Sequence, residues 1–288
     1  MFETRVGIMP AGQSSQTPSG YASIMVPMDL RPDAEKRARL ATALADRFDS
    51  RLIGIAAHPI APPLYFEAPS PGIESAIDLG RRHAAREIAK AEAVFRKVVA
   101  TRNRIEWRQA HAFPADFIVE QARAADLIVA ERSVARGNAL DPMSPNAGDL
   151  VMAAGRPVLF LPPGTEFLAA KHVVIAWKDT REARRAVADA MPFLRAAEDV
   201  SVVTFGADDR GALDVSGYLS CHGIEALVRS EDVATRTVAE KLMRIAEVDA
   251  ADLIVCGAYG HSRASEWVFG GVTRDLLGHS RLCCLMAH

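Results

Sequence analysis

The chain has 288 residues, of which 49% are hydrophobic and 24% charged, with a formal net charge of −2. That length admits one large domain or two ordinary ones, and a near-neutral charge gives no long-range field for nucleic acid or an anionic membrane. No run of about 18 apolar residues occurs, so no membrane-spanning helix is expected.

Residues 1–20 form a polar tail punctuated by Gly, Ser and Pro, without the basic start and apolar core of a secretion signal. Strands are then expected near 23–28, 51–57, 105–110, 125–130 and 157–161, with helices near 32–48, 78–100, 113–123 and 147–154. After a linker at about 162–170, a second series follows. Its strands fall near 172–177, 199–205, 224–228, 251–256 and 282–287, and its helices near 180–196, 209–222, 232–247 and 271–278. Runs such as DLIVC and PVLFL are apolar throughout, as in parallel strands buried on both faces. One connection, 58–76, is long and proline-rich; its Tyr65 and Phe66 either cover a ligand or pack on a neighbouring face.

The two series echo one another. AADLIV occurs at 124–129 and again at 250–255, and IMVPMD (24–29) parallels VVIAWK (173–178). Self-similarity of this kind predicts two copies of one α/β domain, at 21–163 and 171–288. The four cysteines, Cys221, Cys256, Cys283 and Cys284, form no CxxC and are expected as buried free thiols of a reducing, cytoplasmic compartment. Adjacent Cys283 and Cys284 in a strand would point to opposite faces. The histidines show no metal-ligand spacing.

The second copy carries a glycine-rich passage, IVCGAYGHSRASEWVFGGVTRDLL. In an open α/β sheet, ligands gather at the carboxyl ends of strands, where helix N-termini aim unpaired N–H groups outward. Gly257 and Gly260 let the chain turn and a ligand approach the backbone, and Gly270-Gly271 opens a helix at Val272. The amides there, with the Thr273 hydroxyl, would hold phosphate oxygens, and His261 and Arg263 would add positive charge. Glycines also serve turns alone; the full spacing after the fourth strand is what makes this passage specific.

Gly257, Gly260 and Gly270 match G-x2-G-x9-G, and here the chain resembles the universal stress proteins over roughly residues 21–288. The resemblance implies two tandem, doubly wound, five-stranded parallel-sheet domains of the adenine nucleotide alpha hydrolase-like kind, pseudo-dimeric within one chain. It implies ATP, with or without Mg²⁺, in the second copy. Gly257 and Gly260 would contact ribose and phosphates. Gly270, Gly271, Val272 and Thr273 would line the phosphates. Ala176, Trp177 and Phe205 would border the adenine, with Cys256 ending the strand below.

Two positions depart from the family pattern. Lys178 stands where the family has an adenine-side Asp, and a lysine cannot accept the hydrogen bond an amino group offers. Gly271 replaces the usual Ser or Thr, which removes a hydroxyl and keeps the backbone donor.

The first copy keeps Asp29 but has Glu131 and Val134 where Gly257 and Gly260 would be, and Asp149 in the first turn of its last helix. A carboxylate where a phosphate must approach is electrostatically wrong. The first copy is therefore expected to be a partner domain without a site.

The expected function is an ATP-binding regulatory stress protein. The alternative is a stress protein that binds no nucleotide and acts through protein contacts, and a slow ATPase ranks third. No GxxxxGK[ST], GxSxG or comparable catalytic set occurs. Asp141, Asp149, Glu266 and Asp275 read as solvated carboxylates rather than Mg²⁺ ligands. The expected partners are an adenine nucleotide, unidentified proteins and, beyond the internal pairing of the last strands, a second copy of the chain.

Overall fold

A computed structural model describes residues 20–60, 71–132, 141–232, 237–259 and 271–288. Its strands in the first half are β1 (Ser23–Pro27), β2 (Arg51–Ala57), β3 (Ile105–Ala110), β4 (Leu127–Glu131) and β5 (Val158–Leu161). The second half has β6 (His172–Ala176), β7 (Asp199–Phe205), β8 (Ala226–Glu231), β9 (Leu253–Gly257) and β10 (Cys283–Ala287). The helices are α1 (Ala34–Arg47), α2 (Pro71–Val98), α3 (Pro114–Gln121), α4 (Ala147–Ala153), α5 (Arg181–Asp189), α6 (Met191–Leu194), α7 (Arg210–Ser220), α8 (Val238–Val248) and α9 (Gly271–His279).

All ten strands join one sheet in the order β3-β2-β1-β4-β5-β10-β9-β6-β7-β8. Each half thus repeats one winding, and every neighbouring pair is parallel except β5 with β10. At that seam Leu159 faces Leu285, Phe160 faces Cys284 and Val158 faces Met286. The shift that carries Leu127 of β4 onto Leu253 of β9 also carries Val158 onto Cys284 and Phe160 onto Met286. Under it the outer two pairs exchange and Leu159–Leu285 maps onto itself, the signature of a self-complementary contact.

The inner strands are buried on both faces, as their unbroken apolar runs require; β1 and β10 are buried throughout. The edge strands β3 (IEWRQA) and β8 (ALVRSE) alternate polar residues and are only half-buried, which discourages edge-to-edge pairing. One core layer lies on each face, and both cross the seam: Leu159 and Leu285 belong to one, Phe160 and Met286 to the other. Cys283 and Cys284 fall in different layers, as their alternation requires.

Aromatic rings bind the halves as well. Phe193 lies 5.5 Å from Tyr21 and 5.4 Å from Phe48, and the Tyr21 hydroxyl donates to the Asp189 carbonyl at 2.7 Å.

Two expectations need correction. α2 already runs through residues 71–76, inside the stretch read as a loop. The helix expected over 180–196 divides into α5 and α6 at Pro192, which cannot donate to the preceding turn. Tyr65 and Phe66 lie outside the described residues.

Candidate functional site

A cavity of about 510 Å³ opens at the carboxyl ends of β6, β7 and β9. Three strand ends supply its floor: Ala176 on β6, Thr204 and Phe205 on β7, Cys256 and Gly257 on β9. The first turns of four helices supply its rim, through Ala183 of α5, Gly211 of α7, Val238 of α8 and Gly271, Val272 and Thr273 of α9. First-turn amides of any helix lack an intrahelical acceptor, so such a rim is rich in donors.

Local sequence explains how these ends are fixed. Thr180 caps α5 by accepting the Ala183 amide at 3.3 Å. Thr237 and Glu240 close a reciprocal capping box on α8. The Thr273 hydroxyl accepts the Tyr259 amide at 3.3 Å, which ties the turn after β9 to the start of α9.

Of the residues read from sequence, Ala176, Trp177, Lys178 and Phe205 come together here with Cys256, Gly257, Gly271, Val272 and Thr273. Gly260, His261, Arg263 and Gly270 lie outside the described residues, as do Val134 and Glu266. Two of these residues also serve the scaffold. Trp177 lines the cavity and at 6% exposed also packs in the core, with a Cβ on Gly211 falling 3.1 Å from its Nε1. Gly257 is bare for α5: a Cβ there would stand 2.6 Å from the Ala183 nitrogen and 2.8 Å from the Glu182 carbonyl carbon. Gly271 differs, since among the described residues a Cβ there meets nothing within 4 Å.

Sequence reasoning missed Thr180, Thr204, Asp208, Gly211, Val238 and Tyr259. Each stands at a strand end or helix start, a signal available once the strand order is known. Asp179 and Asp208 put carboxylates on the wall, and each has its own arginine: Arg184 at 2.6 Å from Asp179 and Arg210 at 2.7 Å from Asp208. The Arg210 side-chain hydrogen bond, then its backbone amide, hold Asp208 at about 2, so it is ionised at neutral pH. Burial pushes the Cys256 thiol well up, which keeps it neutral. Burial, then the Asp149 charge, raise the Tyr259 phenol.

The other half closes the same place. Because Ile24 pairs with Leu127 as Val173 pairs with Leu253, Asp29 corresponds to Lys178 and Glu131 to Gly257. Arg37 of α1, 2% exposed, stands 2.7 Å from Glu131 and 2.9 Å from Asp29, and Arg31 lies 2.9 Å from Asp29 and 3.5 Å from Glu131. Two carboxylates and two guanidiniums thus occupy the ground that stays open in the second half. Burial raises Asp29, but Arg37 and then Arg31 outweigh it and hold the group below the ordinary range. At Glu131 burial prevails over both arginines, and its carboxyl is raised.

With this geometry in place, residues 207–288 match the model of the Universal stress protein family. Over that segment the chain is similar to the universal stress proteins. The matched segment holds α7, α8 and α9 and the whole glycine passage, while the β6 and β7 walls of the cavity precede it. A universal stress protein from Archaeoglobus fulgidus superposes over 94% of this chain and 98% of its own, with TM-score 0.62 and 13% identity. A functionally unknown protein from Pseudomonas aeruginosa covers 95% of this chain and 94% of its own, with TM-score 0.54 and 14% identity. These likenesses establish the fold. No curated protein matches the chain.

Proposed function

We propose that this chain is a universal stress protein that binds one adenine nucleotide, ATP, in the cavity of its C-terminal half and acts as a regulatory protein. The observation that carries the proposal is the contrast between the halves: one winding, an open cavity under α9, and ion pairs where the other half would have its own. A volume of about 510 Å³ suits a nucleotide. The phosphates would lie against the first-turn amides of Gly271, Val272 and Thr273, and the base against Ala176 and Phe205. Mg²⁺ would enter with the phosphates it neutralises.

The test is thermal unfolding of the purified chain with and without ATP. Ligand at 100 times its Kd stabilises by about 2.7 kcal/mol, so a rise of several degrees is expected. No rise at millimolar ATP rules the proposal out.

A second reading is favoured by Lys178 and Gly271: a protein that takes no nucleotide and works through protein contacts. Mass spectrometry of small molecules released from the denatured chain separates the two. Released adenylate supports the first reading, and a nucleotide-free preparation that also ignores added ATP supports the second.

A further inference from the structure

Arg132 follows Glu131 in the first half, and the β4 and β9 registers put Ala258 at its place in the second. Its side chain crosses to the other half. Only 5% exposed, it donates through Nη1 to the carbonyl of Leu276 at 3.0 Å and to that of Leu277 at 3.3 Å. Both acceptors belong to the last turn of α9; the Leu276 carbonyl also accepts the Ser280 amide at 3.1 Å. The opposite end of α9, Gly271–Thr273, lines the cavity. At 1.5 Å per residue the two ends are about 13 Å apart. A buried guanidinium from the first half therefore holds the rear of the helix that fronts the C-terminal cavity.

The front of α9 has a tie to the first half as well. Thr273 accepts the Tyr259 amide, and the Tyr259 hydroxyl lies against α4, where a Cβ on Gly148 would come within 3.1 Å of it. Tyr259 has φ of 55°, a left-handed conformation that side chains rarely adopt, so contacts on both sides must hold it.

We infer that Arg132 is a positioning residue for the C-terminal cavity: the first half sets the placement and polarity of α9. The inference rests on the nucleotide reading. Two physical effects follow from one contact. The hydrogen bonds fix where the first-turn amides stand, and a cation at the C-terminal end of a helix reinforces the dipole that favours an anion at the other. Core filling alone does not account for an arginine here, since an apolar side chain of that size would fill the space without desolvating a charge.

The test uses the full chain, with ATP titrated by calorimetry and hydrogen exchange followed along α9. Arg132→Met is expected to weaken ATP roughly tenfold, the loss of one charged hydrogen-bonding group, and to speed exchange in α9. Arg132→Lys, which keeps the cation, should restore affinity to within about threefold of the original. If Arg132→Met does not fold, Gly148→Ala, which crowds Tyr259, takes its place and is expected to weaken ATP. Unchanged affinity in a folded Arg132→Met or Gly148→Ala chain, with the original chain binding ATP, overturns the inference and leaves the nucleotide reading standing. An original chain that binds no ATP takes both down.

Discussion

A methyl group at position 257 would press on the Ala183 nitrogen at 2.6 Å, against backbone that cannot swing away. Gly257→Ala is therefore expected to cost about 1–3 kcal/mol in denaturant unfolding, as overpacking does. At Gly271 a Cβ meets nothing within 4 Å among the described residues, so Gly271→Ser should leave stability within about 0.5 kcal/mol. Its added hydroxyl should tighten ATP by about 1 kcal/mol. Equal stability losses at the two positions would contradict this division. The cysteines divide similarly. Cys221 is exposed, a correction to the expectation that all four thiols are buried, while burial pushes Cys283 up to about 12 and Cys284 up to about 11. Thiolate is the reactive form, so a thiol reagent at about pH 8 should modify Cys221 fast and the other three only on unfolding. Rapid modification of a second thiol in the folded chain would contradict the burial.

At the scale of elements, the inner strands were legible because burial on both faces writes an unbroken apolar run, and β2 and β7 fall where that run places them. Helix ends were less legible, since Pro192 acts through backbone geometry that periodicity does not record. The closed pocket of the first half was half visible. Glu131 read as an obstacle to phosphate, but nothing in the sequence singled out Arg37, whose bond to Glu131 spans 94 residues. Removing Asp29 from this network leaves Arg37 buried and undercompensated, so Asp29→Asn should cost about 3–5 kcal/mol at pH 7. Its pH dependence has a fixed sign. Asp29 sits below its ordinary value when folded, so its contribution is present above about 3.9 and is lost as pH falls through the folded value. Glu131, raised when folded, slopes the other way: its contribution is full below about 4.3 and fades as pH climbs through the folded value. The gap between the original chain and Asp29→Asn in urea unfolding should accordingly narrow on acidification; a gap that widens would contradict the assignment.

The whole molecule is one sheet with a self-complementary seam, foreshadowed by the repeated AADLIV and by the matching apolar strands that end each half. The antiparallel β5 and β10 bury one another's edges, and residues 165–288 expressed alone would expose β10. That fragment should pair with a second copy through β10, with Leu285 facing Leu285, and run as a dimer in light scattering. A monomer would mean that the seam is not self-complementary. What the repeat did not reveal is how far the closed half reaches into the open one, because Arg132 and Tyr259 lie in stretches where the two copies no longer match. The open cavity beside the ion-paired one is the centre of the functional case, and the binding stoichiometry of ATP tests it most directly. Calorimetric titration of the full chain should give one ATP per chain, abolished by Gly271→Glu and retained in Glu131→Gln. Two sites per chain, or none at about millimolar ATP, would contradict it.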